Sequence, residues 1–166
     1  MESFDVVIRY MQDYGMFFLF IIVYLEYLNL PGLPAGIIMP AIGLLISRSD
    51  TSFLHALSIS VLAGMLGSYT LYAVGYFIGS PIVDKVYEKY EKMRPSIDKS
   101  FGYIHKYGNR GILVSRLIPV ARTLISLVGG TVQMKLRSFT FYSIIGITLW
   151  NTGFILAGYL IGRLGN

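Results

Sequence analysis

The chain has 166 residues and a net charge of +5; it is 54% hydrophobic and only 14% charged, against roughly 25% charged in a typical soluble domain. That balance suits one lipid-embedded domain. The basic residues do not stand on a polar, aromatic-interleaved surface, which argues against a nucleic-acid partner, and the absence of cysteine excludes a disulfide framework and thiolate chemistry.

In chain order, the first twenty residues do not read as a cleavable signal. Glu2 and Asp5 stand where a basic region is expected, and no small-residue cleavage site follows the apolar run. Residues 14–25 are uncharged, Glu26 interrupts, and "YLNLPGLPAGIIMPAIGLLIS" follows. Pro31, Pro34 and Pro40 each remove a helix hydrogen bond. Residues 56–83 hold no charge over 28 positions, more than the roughly 20 a helix needs to cross the hydrocarbon core. Residues 84–110 hold seven of the fourteen Lys and Arg, against four acids, which places them in the cytoplasm by the positive-inside rule. Val83, Val86, Tyr87 and Tyr90, then Ile97, Phe101 and Ile104 after Pro95, recur at helical spacing and predict two amphipathic helices on the inner surface. Residues 112–134 are apolar but carry Arg116 and Arg122 around Pro119. Residues 138–162 hold no charge over 25 positions and predict a second transmembrane helix.

Broken backbone at membrane depth is tolerated only where protein buries it or a water-filled cavity borders it. The two proline-broken stretches are therefore read as re-entrant or discontinuous helices. "VGYFIG" (Val74 to Gly79) closes the first half and "AGYLIG" (Ala157 to Gly162) the second, 83 residues apart. The expected fold is an all-α membrane protein of two repeated halves, each with a broken helix and a transmembrane helix. The first repeat covers about 14–83, the connector 84–110 and the second repeat about 111–163. If each half crosses an odd number of times, the halves are inverted. Paired interrupted segments point to a binding site at the repeat interface.

The chemistry centres on the arginines. An intramembrane charge costs a few kcal/mol even on lenient scales and is functional by default. A guanidinium binds phosphate bidentately and stays charged. Glu26 would balance one arginine or meet an ammonium headgroup. Gly32, Ala35, Gly36, Gly129 and Gly130, beside Pro34 and Pro119, would let backbone approach a headgroup closely. The bland alternative is that the arginines snorkel to an interface, or pair with Glu26 only to hold the halves together. His55 and His105 lack partners at metal-ligand spacing, so neither a metal nor any cofactor is expected. Ser115 and Ser126 read as packing residues; no histidine base stands near them in sequence, so nucleophilic catalysis is unsupported. Trp150, Tyr142 and Tyr159 read as ordinary membrane aromatics.

These residues resemble the DedA family of bacterial membrane proteins, also called the VTT or SNARE-associated domain family. The likeness runs through Glu26 before "LPGLPAGIIMPAIG", then "GSYTLYAVGYFIG", then "YIHKYGNRG". Its most specific element is Arg116-Leu-Ile-Pro119-Val-Ala-Arg122, and Trp150 with Gly158 to Gly162 closes it. The chain departs from the family pattern at Gly36 and at Gly67-Ser68, where many members carry acids implicated in proton coupling; this leaves such coupling open. The resemblance implies a flippase or scramblase in the bacterial cytoplasmic membrane. Arg116 and Arg122 would hold the lipid phosphate, with phosphatidylethanolamine favoured over undecaprenyl phosphate. It leaves a homodimer open. The alternative is an ion-coupled small-anion transporter; a lipid phosphatase lacks a nucleophile or metal constellation.

Overall fold

The structure is a computed structural model that describes residues 2–28, 35–49, 51–119, 121–122 and 124–164, with the backbone alone at 2–14 and 35. Pro31, Gly32 and Pro34 lie outside the described residues. Among those described, every regular element is helical. They are α1 (Glu2–Tyr27), α2 (Ala35–Ser47), α3 (Phe53–Ile78), α4 (Ser80–Lys89), α5 (Arg94–Tyr107), α6 (Gly111–Arg116), α7 (Ile125–Thr131) and α8 (Leu136–Leu164). Short 3-10 turns at Glu91–Met93 and Gly108–Arg110 flank α5.

Only α3 and α8 are long and apolar enough to cross a membrane, among the described residues. Their 26 and 29 residues give about 39 and 43 Å at 1.5 Å per residue. The predicted first span, 56–83, is corrected at its end. Gly79 takes φ 73°, a conformation open chiefly to glycine, and Pro81 then starts α4. A second glycine break, Gly15 at φ 56° and ψ −134°, divides α1. The apolar helix after it and α2 hold 13 residues each, about 20 Å, too short to cross a core of about 30 Å alone.

The chain divides into two compact units, Met1–Gly64 with Thr148–Asn166, and Met65–Ile147. The boundaries fall inside α3 and α8, whereas the sequence reading divides the chain at 84–110. The core of the first unit joins Leu19, Ile22 and Val23 of α1 to Met39, Ile42 and Ile46 of α2, with Ala56, Ala63 and Ile155. The second unit has two clusters. One gathers Tyr72, Ile112, Ile125, Met134 and Phe139. The other packs Val83 of α4 and Ile97 of α5 against Leu124 and Leu127. The inner stripe of the amphipathic connector is therefore spent on protein, while Tyr87, Tyr90 and Phe101 stay exposed.

Lipid tails are as apolar as leucine, so close packing at small residues must hold membrane helices together. Each unit contains such a contact. In the first, a Cβ on Gly43 of α2 would collide with the Ile155 carbonyl and the Tyr159 nitrogen of α8, and one on Gly158 with the Pro40 carbonyl. In the second, a Cβ on Gly130 of α7 would collide with the Tyr72 carbonyl and the Tyr76 nitrogen of α3, and one on Gly75 with the Leu127 carbonyl. Ile155, Gly158 and Tyr159 stand 83 residues after Tyr72, Gly75 and Tyr76, and Leu127 and Gly130 stand 87 after Pro40 and Gly43.

Because the obstructing atoms are backbone, they cannot swing aside. Gly130→Ala is expected to destabilise the protein by roughly 1–3 kcal/mol, the usual cost of overpacking. Gly153→Ala, whose Cβ would meet nothing within 4 Å, should be neutral or stabilising by up to about 1 kcal/mol. Thermal melts in detergent compare the two.

Candidate functional site in the second unit

α6 ends on Arg116, and the chain leaves the helix through a turn before α7 begins at Ile125. Pro119 is exposed in that turn, in keeping with a residue that cannot donate to a helix. Backbone bonds hold the turn: Ile118 N–H donates to the Ser115 carbonyl at 3.2 Å, and Ala121 and Arg122 N–H to the Ile118 carbonyl at 3.1 and 2.9 Å. From α5, the Ser100 hydroxyl donates to the Ala121 carbonyl at 3.1 Å.

Arg116 is 2% exposed. Its Nη2 donates to Ser126 Oγ of α7 at 3.1 Å and to Ser143 Oγ of α8 at 2.9 Å. The guanidinium lies over the Phe139 ring, 5.7 Å from its centre. Its aliphatic stem fills the notch left by Gly146, where a Cβ would stand 2.8 Å from Arg116 Cβ. One cation thus ties α6, α7 and α8 together by charge-assisted bonds, and a cation over a ring adds attraction. Arg122 is half-buried on the turn.

Of the residues singled out in the sequence, Arg116, Pro119, Arg122, Gly129 and Gly130 fall in the second unit, and Glu26 and Gly36 in the first. The two α7 glycines face neighbouring helices. Gly130 lies against the α3 backbone, and a Cβ on Gly129 would sit 3.5 Å from the Phe139 ring. Their smallness is used for helix packing, not for open approach to a headgroup. Gly36 is exposed, with open space around it. Glu26, 5% exposed, ends α1 beside Tyr27. The Tyr27 hydroxyl donates to Asn151 Oδ1 at 2.9 Å, and Asn151 Nδ2 donates to Ser60 Oγ at 3.2 Å.

Ser126 does more than the sequence suggested, and Ser143, Phe139 and Asn151 were not singled out. A usable signal existed for Asn151. An amide in an uncharged apolar run needs a partner inside the protein.

Removing either serine leaves a buried guanidinium short of an acceptor. Ser126→Ala and Ser143→Ala should each cost roughly 1–3 kcal/mol, and Ser143→Thr, which keeps the hydroxyl, should cost less. Unfolding in mixed detergent reads this difference.

Comparison with known proteins places the chain. The VTT domain model matches residues 33–160. The chain is 29% identical over 158 residues to undecaprenyl phosphate transporter A of Staphylococcus aureus, covering 93% of this chain and 77% of that protein. It is 29% identical over 131 residues to undecaprenyl phosphate transporter A of Bacillus subtilis, covering 78% and 66%. It is 28% identical over 159 residues to protein DedA of Escherichia coli, covering 92% and 72%. No solved structure matches. With two apolar helices of spanning length and a family match over most of its residues, the chain belongs to the VTT domain family and is a DedA-family membrane protein.

Proposed function

We propose that this protein is a transporter, not an enzyme, and moves lipids with a phosphate headgroup between the leaflets of a bacterial cytoplasmic membrane. Arg116 and Arg122 engage the phosphate. The observation that carries this reading is the geometry of the turn between α6 and α7. It sets a serine-held, buried guanidinium and a half-buried one on either side of an exposed proline. Arg116 is the fixed charge that draws an anion into an apolar protein. Arg122, on the turn, is the one that meets the phosphate first. Exposed Pro119 allows close approach.

Undecaprenyl phosphate is the preferred cargo, which reverses the order drawn from the sequence. Two relatives carry that lipid in their names. The chain carries Gly36 and Ser68 where acids are common in the family, which leaves it more cationic and favours a monoester phosphate over zwitterionic phosphatidylethanolamine. The acid that remains, Glu26, serves as a headgroup or charge contact.

The halves are read as an inverted duplication with re-entrant short helices and 84–110 in the cytoplasm. The matching glycine contacts support duplication: the same kind of backbone approach recurs between a short and a long helix, 83 residues apart along the long ones. The sub-spanning lengths of α2 and the second part of α1 support re-entrance. The excess of lysine and arginine in 84–110 supports its cytoplasmic side.

Reconstitution into liposomes tests the proposal. Labelled undecaprenyl phosphate should exchange between leaflets faster than phosphatidylethanolamine. Arg122→Ala should slow that exchange at least tenfold in protein that a cooperative thermal melt shows to be folded. Arg116→Lys, which keeps the charge but loses the forked geometry, should also slow it. Normal exchange in Arg122→Ala would end the phosphate role. Uptake of inorganic phosphate in place of lipid exchange would favour a small-anion transporter.

A further inference from the structure

The second unit holds a cleft of about 710 Å³ that the transport reading does not use. That volume lies within the range of small-molecule sites. Tyr69, Tyr72, Tyr76 and Phe77 of α3 line it, together with Gln133, Met134 and Lys135 just before α8. The lining is mostly apolar or aromatic. The Tyr69 hydroxyl is shared with Thr140 Oγ1 at 2.7 Å, and the Tyr72 hydroxyl donates to the Met134 carbonyl. Two of the tyrosine hydroxyls are thus spent within the protein, leaving the cleft mainly ring surface.

The loop that carries the cation is built firmly. α7 closes with Gln133 N–H donating to the Gly130 carbonyl at 2.8 Å and Met134 N–H to the Gly129 carbonyl at 3.1 Å. Gln133 takes φ 50°. This is a Schellman helix end, with glutamine where glycine is usual. It sets exposed Lys135 on the cleft, and no acidic residue lines the space among the described residues. The rim is apolar as well: Phe77 is 82% exposed and Leu136 53%. Such rims suit acyl chains better than water, and both belong to the long apolar helices α3 and α8. An apolar slot with Lys135 in its lining matches an amphiphile with a negative head.

We propose that this cleft binds one anionic phospholipid, its acyl chain along the α3 aromatics and its phosphate on Lys135. It is distinct from the arginine turn. Phe139 packs on Tyr72 with ring centres 4.6 Å apart, and Arg116 lies over Phe139, so one aromatic ring separates the two places. The assignment does not rest on the transport proposal, because its test reads occupancy and not leaflet exchange.

A tryptophan reporter provides the test. In a Trp150→Phe background, Phe77→Trp places the fluorophore on the rim. Brominated phosphatidylglycerol should quench it several-fold more than brominated phosphatidylcholine at equal mole fraction. Lys135→Glu should bring the two lipids level, and Ala73→Leu, which narrows the cleft, should weaken both. Native mass spectrometry of the protein without the reporter should retain phosphatidylglycerol that Lys135→Glu loses. Equal quenching by both lipids, or retention unchanged in Lys135→Glu, would overturn the site.

Discussion

A guanidinium inside an apolar protein must be surrounded by its own protein, and Arg116 is where the second unit meets that demand. Its charge draws a serine from α7 and another from α8, its stem occupies the notch at Gly146, and its face rests on Phe139. Phe139 in turn belongs to the cluster of Tyr72, Ile112, Ile125 and Met134. The position of α6, the start of α7 and the first half of α8 therefore depend on one side chain. The cost of burying the charge explains why so many groups converge on it.

The second constraint is steric. Without a hydrophobic force between helices in lipid, backbone must approach backbone, and glycine permits it. Gly43 with Gly158 does this in one unit, and Gly75 with Gly130 in the other. The short helices α2 and α7 are thereby fixed to long helices of membrane-spanning length. α7 is then a rigid support from which Ser126 reaches Arg116, while the preceding turn carries Arg122. The connector adds a further hold, with Ser100 bonded to Ala121 one residue before Arg122.

Much of this was legible in the residues, and the limits are physical. Uncharged runs marked α3 and α8 because hydropathy reports environment directly. The end of α3 was misjudged because the run continued through Gly79, where backbone conformation and not polarity stops the helix. The break around Pro119 followed from a missing donor. What hydropathy could not supply was direction. Gly129 and Gly130 looked like space for a ligand, yet they face helices. Ser126 reads as packing because a hydroxyl in an apolar helix often bonds its own backbone, and only the tertiary fold shows it and Ser143 turned to Arg116. The connector's stripe predicted a membrane face; α7 took its inner part instead.

The central claim is that a guanidinium on the α6–α7 turn touches lipid phosphate, and a distance measurement between the two tests it most directly. Protein with 15N-labelled arginine side chains would be placed in bilayers containing undecaprenyl phosphate, and 15N–31P dipolar dephasing recorded by solid-state NMR. The account predicts dephasing from guanidinium nitrogens within contact distance of phosphorus, reduced when Arg122 is replaced by lysine. Dephasing that is absent, or that persists undiminished in Arg122→Lys, would contradict it.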